Sequence, residues 1–362
     1  MNERQVSRLR DFLRLPKPGY TDSFAILIGE YRMRRQAVLL TCSIALLALN
    51  AHADIPRTPA GKPDMQGVWA NNSATPLERP EALADKAELT DEEVAQFKAK
   101  HDELFGGDGE AAFGDSVFKS IIADDEVHES YDPTTGNYNH FWVVDREIEN
   151  RTSLIVDPPN GRMPELTPAA AERQAARAAY REAHPADSYT DRSNSDRCIT
   201  YGVPFIAAGY NGYFQIAQSA GYVTILQEMA HEARIFPVVQ KPHIDAKVRQ
   251  WGGDSRGRWQ GDSLVVETRN FSPKSSFMGH SAENLKLTER FTLLDSGTLQ
   301  WALTVDDQET WVRPWTLVIN LKKSADQIFE YACHEGNLSM EGILAGARAE
   351  EAAALAAEGG TE

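Results

Sequence analysis

The feature that most constrains this fold is a succession of short strand-like runs from Tyr213 to Gly336 with no helical pattern between them. "YFQIAQSAGYVTILQEM" reads as a hairpin turning at Ser219 to Gly221, and "GRWQGDSLVVETRNF" as another turning at Gln260 to Ser263. "LKLTERFTLLDSGTLQWALTVDD" reads as a third with Asp-Ser-Gly at its apex, and "WTLVINLKK" and "QIFEYACHEG" complete the meander. Strands at such close spacing, without the helices of a βαβ alternation, form antiparallel sheets. The expectation is therefore a mainly β chain, an antiparallel β-barrel or sandwich (lipocalin-like) with a few peripheral helices. No internal repeat of fixed period is present, which disfavours a propeller.

Upstream, "NHFWVVDRE" (139–147) and "TSLIVDPPNGRMP" (152–164) read as further strands, and "GGDGEAAFGD" (106–115) as a flexible loop. Three helices are signalled. Thr90-Asp91-Glu92-Glu93 is a capping box ahead of Val94, Phe97 and Leu104. Thr167 and Pro168 open an Ala/Arg-rich helix that stops before Pro185, and "AGARAEEAAALAAE" closes the chain as a surface helix. Asp54 to about Glu88 is extended and Pro-rich, with Trp69 as its anchor onto a single β-rich domain spanning 89–348. Residues 349–362 form a helix end and tail.

Met33, Arg34 and Arg35, the apolar run Ala37–Leu49, and small residues at Ala51 and Ala53 have the layout of a secretory signal over 33–53. The run is shorter than the roughly 20 residues a membrane span needs. Cleavage is expected after Ala53, and residues 1–32 read as a spurious upstream extension. Without 1–53, the chain keeps 29 of its 37 basic and 49 of its 53 acidic residues, a net charge of −20. So acidic a surface argues against nucleic acid or an anionic membrane as partner. The expected partner is a small-molecule ligand or substrate, with no membrane association after signal cleavage and the oligomeric state open.

Two cysteines follow the signal, Cys198 and Cys333. In an oxidising compartment an isolated pair is most economically one disulfide, closing a loop of about 135 residues. A metal pair and two buried free thiols are the alternatives. A zinc site of the CxxC type is excluded because neither cysteine has a second thiol nearby.

Strand alternation exposes charges on apolar faces. Glu289 falls in phase with Leu285, Leu287, Phe291 and Leu293. A buried carboxylate there is either paired, with an arginine such as Arg234, or becomes an acid or base near neutral pH. Glu330 shares a face with Ile328 and Ala332, and Glu228 follows Tyr222, Thr224 and Leu226. The three glutamates come from separate strands of one meander. His231 and His243 flank the strand "RIFPV", His280 lies in a Ser/Gly-rich loop and His334 in "CHEGN". None forms HxH or HExxH, so no metal motif is present. His243, in the loop leaving the strand that carries Arg234, is the preferred proton shuttle. "GDSRG" has the letters of a hydrolase elbow but precedes a strand, which leaves Ser255 a poor nucleophile. Trp251 and Trp259 suggest a hairpin with an aromatic platform.

"DPPNGRMP" (157–164), "DRCITYGVP" (196–204), "WGGDSRGRWQGDSLVVETRNF" (251–271), "ERF" (289–291) and "YACHEGN" (331–337) together resemble a family of bacterial exported proteins, over about residues 64–348. The resemblance implies a secreted or periplasmic location and carries over no catalytic residue. Gln260 stands where the family's "GRWEGD" has Glu, which weakens a catalytic acid there.

The residues lead first to an exported enzyme of lyase, isomerase (or cyclase) or hydrolase type, working on a small, fairly apolar molecule without a cofactor or metal. Glu289 and Glu228 are its acid/base candidates, Arg234 the group that orients a carboxylate or oxyanion, and His243 the shuttle. Tyr213, Trp251, Trp259, Trp315, His334 and Glu335 are the substrate-binding candidates. No phosphate loop or dinucleotide fingerprint supports a nucleotide cofactor. The alternative is a lipocalin-like periplasmic carrier without catalysis, favoured by Tyr213, Phe214, Trp301, Trp311 and Trp315. A carbohydrate-binding module would instead set tryptophans on an exposed flat face.

Overall fold

In the computed structural model of the protein, described for residues 55–106, 115–123 and 146–359, antiparallel strands build one sheet that curls almost into a barrel. Asp54–Glu362 forms one compact unit. The signal region with the stretch before it, most of the 106–115 loop and most of the expected 139–147 strand lie outside the described residues.

The three hairpins form where the alternation places them. They are β3 (Tyr213–Gln218) with β4 (Tyr222–Gln227), β6 (Asp254–Gln260) with β7 (Ser263–Arg269), and β10 (Lys286–Leu293) with β11 (Thr298–Asp306). β12 (Trp315–Ser324) follows, and β5 (Glu232–Pro237) leaves β4 through a tight turn. That turn holds two non-glycine residues in left-handed backbone, Ala230 at φ 60° and His231 at φ 51°. A short β8 (Ser276–Phe277) pairs with β9 (His280–Ser281) beside the sheet.

The strand order is β5-β4-β3-β1-β12-β11-β10-β7-β6, with the three-residue β2 (Ile155–Asp157) also paired to β12. β1 (Gly67–Ala70) comes from the Pro-rich segment. Trp69 does more than anchor that segment: its strand is inserted between β3 and β12 and joins the two halves of the sheet. Trp69 is fully buried, donates from Nε1 to Met65 O at 2.8 Å, and carries Lys323 Nζ over its ring.

The outer strands β5 and β6 meet without a hydrogen-bonded ladder among the described residues. They approach because Gly257 has no side chain: a Cβ there would stand 3.0 Å from Val238 Cγ1 and 3.1 Å from Phe236 Cδ2. The expected strand at 328–336 is absent. The chain past β12 runs irregularly, and Cys333 is bonded to Cys198. The disulfide expected from the isolated cysteine pair is thus present, joining residues 135 apart in sequence.

Alternate residues of each strand fill the interior. Leu287, Glu289, Phe291 and Leu293 face inward from β10, Leu299, Trp301, Leu303 and Val305 from β11, and Trp315, Leu317, Ile319 and Leu321 from β12. Phe291 stacks on Trp301 with centroids 5.8 Å apart, and Phe214 meets the same indole edge-on.

Four α-helices lie outside the sheet among the described residues. α1 (Asp91–Phe105) has the expected capping box, with Thr90 accepting from Glu93 N and Glu93 from Thr90 N. It packs on the short α2 (Ser116–Ala123) through Phe97 and Phe118 in a small separate core. α3 (Pro168–Ala183) has Thr167 as N-cap and Pro168 in its first turn. α4 (Ser339–Gly359) begins six residues before the sequence pattern marks it. No described helix is long and apolar enough to cross a membrane.

Candidate functional site

The charge inside the barrel is a pair. Arg234, from β5, donates from Nη1 and Nη2 to the two carboxylate oxygens of Glu289, from β10, in a bidentate bridge whose Nη2–Oε1 arm is 2.9 Å. Glu289 is fully buried and the Arg234 side chain is 13 % exposed. Inward phase forces the burial, and the guanidinium fork supplies the pairing that such burial requires. Glu289 is therefore engaged by Arg234 on both oxygens. Arg234 has five N–H donors and spends two here, which leaves three for other acceptors.

Arg234 also lines a cavity with Val203, Phe214, Ile225, Gln227, Glu232 and Trp301 around it. The atom-free space is about 390 Å³, yet the centre of a water-sized sphere can reach only about 20 Å³ of it. The second figure governs occupancy, because the first includes space open to solvent. It is room for one or two waters. The indole Nε1 of Trp301 is buried without a hydrogen-bond partner among the described residues.

Glu232 is the residue that inspection of the sequence missed. It lies two positions before Arg234 on β5, so both side chains leave the same face of the strand. Its Oε2 accepts from the Thr200 hydroxyl at 2.6 Å. Burial pushes its carboxyl above the ordinary carboxylate range, while the Thr200 hydrogen bond and, after it, the Arg234 charge oppose the rise. The turn at Gly252 closes over it, with a Cβ there falling 3.4 Å from Val203 Cγ2 and 3.6 Å from Glu232 Oε1. The Glu232, Arg234, Phe236 alternation was the available signal.

The other candidates are dispersed. Glu228 is buried at the end of β4, its Oε1 accepting from Phe329 N at 3.1 Å, and it is not part of the cavity lining. It ties the segment after β12 to the barrel. Tyr213 opens β3, half-buried, and its carbonyl accepts from Glu228 N. His243 is not beside Arg234. Its Nδ1 lies 2.7 Å from Asp254 Oδ2 and its Nε2 3.1 Å from Glu267 Oε1. Gly257 and Val266 are the inward pair of β6 and β7, so Glu267, the next residue along, points outward. His243 therefore sits on the outer wall. Burial raises the Glu267 carboxyl, but Lys286 and then His243 outweigh it and hold it below the usual range. The loop leaving β5 passes outside the sheet, where a sequence count of nine residues from Arg234 has no geometric meaning.

Trp251 is exposed in the turn before β6. Trp259 lines a different cleft with Lys62, whose Nζ is 5.7 Å from the ring centroid. Trp315 is wholly buried and packs edge-on to Trp311. His334 and Glu335 are exposed next to the disulfide, and Glu330 is exposed on the irregular segment. Ser255 is buried and shares a hydrogen bond with Thr268. Among the described residues, no group of three or more His, Cys, Asp or Glu side chains is arranged to hold a metal ion.

No known family model matches the chain, and neither a curated protein nor a solved structure shows significant similarity to it.

Proposed function

We propose that this is an exported, cofactor-independent acid/base enzyme of lyase, isomerase or hydrolase type, working on a small, largely apolar molecule at the Glu232–Arg234 end of the barrel interior. One observation carries the reading: a desolvated carboxyl with a raised pKa shares a mostly apolar slot with a guanidinium already fixed by a second, fully buried carboxylate. Perturbed titratable groups in a closed pocket are the usual mark of acid/base chemistry. Glu232 takes or gives the proton. Arg234, oriented by Glu289, steadies the carboxylate or developing oxyanion of the substrate. The slot has room for one or two waters, so only the reacting end of the molecule enters it, between Val203, Phe214, Ile225 and Trp301. The disulfide between Cys198 and Cys333 supports residence in an oxidising, periplasmic or extracellular space.

The two titratable side chains in the lining, Glu232 and Arg234, favour this reading over a carrier, whose pocket would be wholly apolar. The test is a turnover screen of the purified protein against small aryl and alkyl esters, lactones and β-hydroxycarbonyl compounds, run beside Glu232→Gln. Turnover of at least one compound is expected, reduced about 10²–10⁴-fold in the variant. Turnover that survives both Glu232→Gln and Arg234→Lys refutes the assignment. A compound bound saturably and recovered unchanged makes the protein a carrier.

A further inference from the structure

The chain carries a net charge of −16, yet one cleft on it has the opposite sign. It lies among α3, the 190–197 loop and the 273–281 segment, and encloses about 1090 Å³ of space including its open side. Arg177, Arg181, Arg192, Arg197 and Lys274 line it.

Of these five cations, only Arg192 has an acidic partner among the described residues. Arg177 and Arg181 are one turn apart on α3, a like-charge spacing that disfavours the helix by a few tenths of a kcal/mol. Burial, and after it the Arg181 charge, hold the Arg177 guanidinium below the usual arginine range. The Arg177 side chain donates to Gly279 O at 3.2 Å, a neutral acceptor. Among the described residues, Arg177, Arg181, Arg197 and Lys274 have no carboxylate within ion-pair distance. Arg197 is instead held over the Tyr189 ring, 5.2 Å from its centroid. Arg192 pairs with Asp196 at 3.2 Å, but its buried Nε has no acceptor among the described residues. The carboxylate in the wall, Asp191, is occupied by neutral donors: Ser188 N at 2.8 Å, Ser188 Oγ at 3.0 Å and Tyr180 Oη at 3.0 Å.

Guanidinium groups converging with hydroxyl and amide donors match an anion that presents several oxygens at once. Ser276 and Ser281, whose hydroxyl hydrogens are not donated among the described residues, and the second Nδ2 hydrogen of Asn194, whose first goes to Lys274 O, supply such donors in the same wall. We propose that this cleft is a binding site for a phosphate- or sulfate-class oxyanion, independent of the barrel interior. A long polyanion such as nucleic acid does not fit the proposal, because a chain of net charge −16 repels the rest of the polymer.

Calorimetric titration of the purified protein with inorganic pyrophosphate at low ionic strength tests it. Saturable binding that weakens as salt is added is expected. Arg181→Ser and Arg197→Gln should each lower the affinity on the order of tenfold, the loss of one charge-assisted hydrogen bond. Melting temperatures should fall by no more than about 2 °C, since neither side chain forms an ion pair in the fold and Arg197 loses only its contact with the Tyr189 ring. A parallel flotation assay uses vesicles containing phosphatidylglycerol. Vesicle binding that both variants abolish assigns a lipid phosphate as the ligand, and pyrophosphate binding without vesicle binding assigns a soluble one. Absence of saturable pyrophosphate binding, or equal affinity in the parent and both variants, overturns the proposal.

Discussion

Replacing Glu289 by glutamine tests how the barrel interior is held. The substitution keeps the shape of the side chain and one oxygen, but removes the charge and turns the other oxygen into an amide that faces an N–H donor of Arg234. With Glu289 fully buried and Arg234 nearly so, water cannot replace what is lost. A charge-assisted hydrogen bond contributes about 1.5–3 kcal/mol, and stripping a buried pair of one partner costs about 3–5 kcal/mol. Gln retains part of the pairing, so a loss of about 3 kcal/mol is expected. At roughly 2 °C per kcal/mol for a chain of this size, the melting temperature falls by about 6 °C. The companion is a double-mutant cycle with Arg234→Leu and Glu289→Leu, read by urea denaturation of the oxidised protein. Each single leucine leaves a buried charge unpaired, whereas the double replacement buries two apolar side chains and should come near the parent in stability. The coupling energy should exceed about 2 kcal/mol. Additive single effects, or a Glu289→Gln variant within about 0.5 kcal/mol of the parent, would show that the bridge has no energetic part in the fold.

Glu232→Gln should gain stability over the parent as pH rises. The folded carboxyl titrates above its ordinary value of 4.5, so the folded state keeps its proton longer than the unfolded chain. Parental stability is then complete below about pH 4.5 and declines as pH rises through the elevated value. Urea titrations from about pH 4 to 8 should show the gap opening just above 4.5 and then levelling, and a gap constant across that range refutes the burial argument. Gly257→Val should lower stability by about 1–3 kcal/mol, because its Cβ alone meets Val238 and Phe236 at 3.0 and 3.1 Å, and a milder loss is expected for Gly257→Ala. Cys198→Ser with Cys333→Ser releases a separation of 135 residues. By the chain-entropy model this removes up to about 5 kcal/mol. Treatment of the parent with reductant should bring its melting temperature down to that of the variant.

Much of this architecture was legible because alternation is a property of single strands. The phase of Leu285, Leu287 and Phe291 was enough to put Glu289 inside, and the only question left open, whether it was paired, needed a partner from a strand 55 residues away. The helix caps at Thr90 and Thr167 were equally local. What failed depended on the neighbour across the sheet. β1 has four residues, begins at Gly67 and is flanked by prolines, so nothing in its own pattern marks it as a strand that joins two others. Residues 328–336 do alternate, but β11 and β1 already occupy both edges of the end of β12, and the disulfide draws the chain toward Cys198 instead. His243 was misplaced for a related reason. The end of a strand does not say on which side of the sheet its loop will pass.

Alternation also sets the two carboxyls inside the barrel apart. Two carboxyls, Glu232 and Glu289, face one guanidinium, and ionising all three leaves a net negative charge in an apolar space, which is costly. Glu289 has no exposure and receives both arms of the fork, a geometry that a carboxylate accepts and a carboxylic acid does not. Glu232 receives a neutral hydroxyl from Thr200 and feels Arg234 only as a charge already committed elsewhere. Burial accordingly raises the Glu232 carboxyl above the ordinary carboxylate range. The ion pair, by committing Arg234 to both oxygens of Glu289, leaves Glu232 the carboxyl of the cavity lining whose proton affinity burial raises.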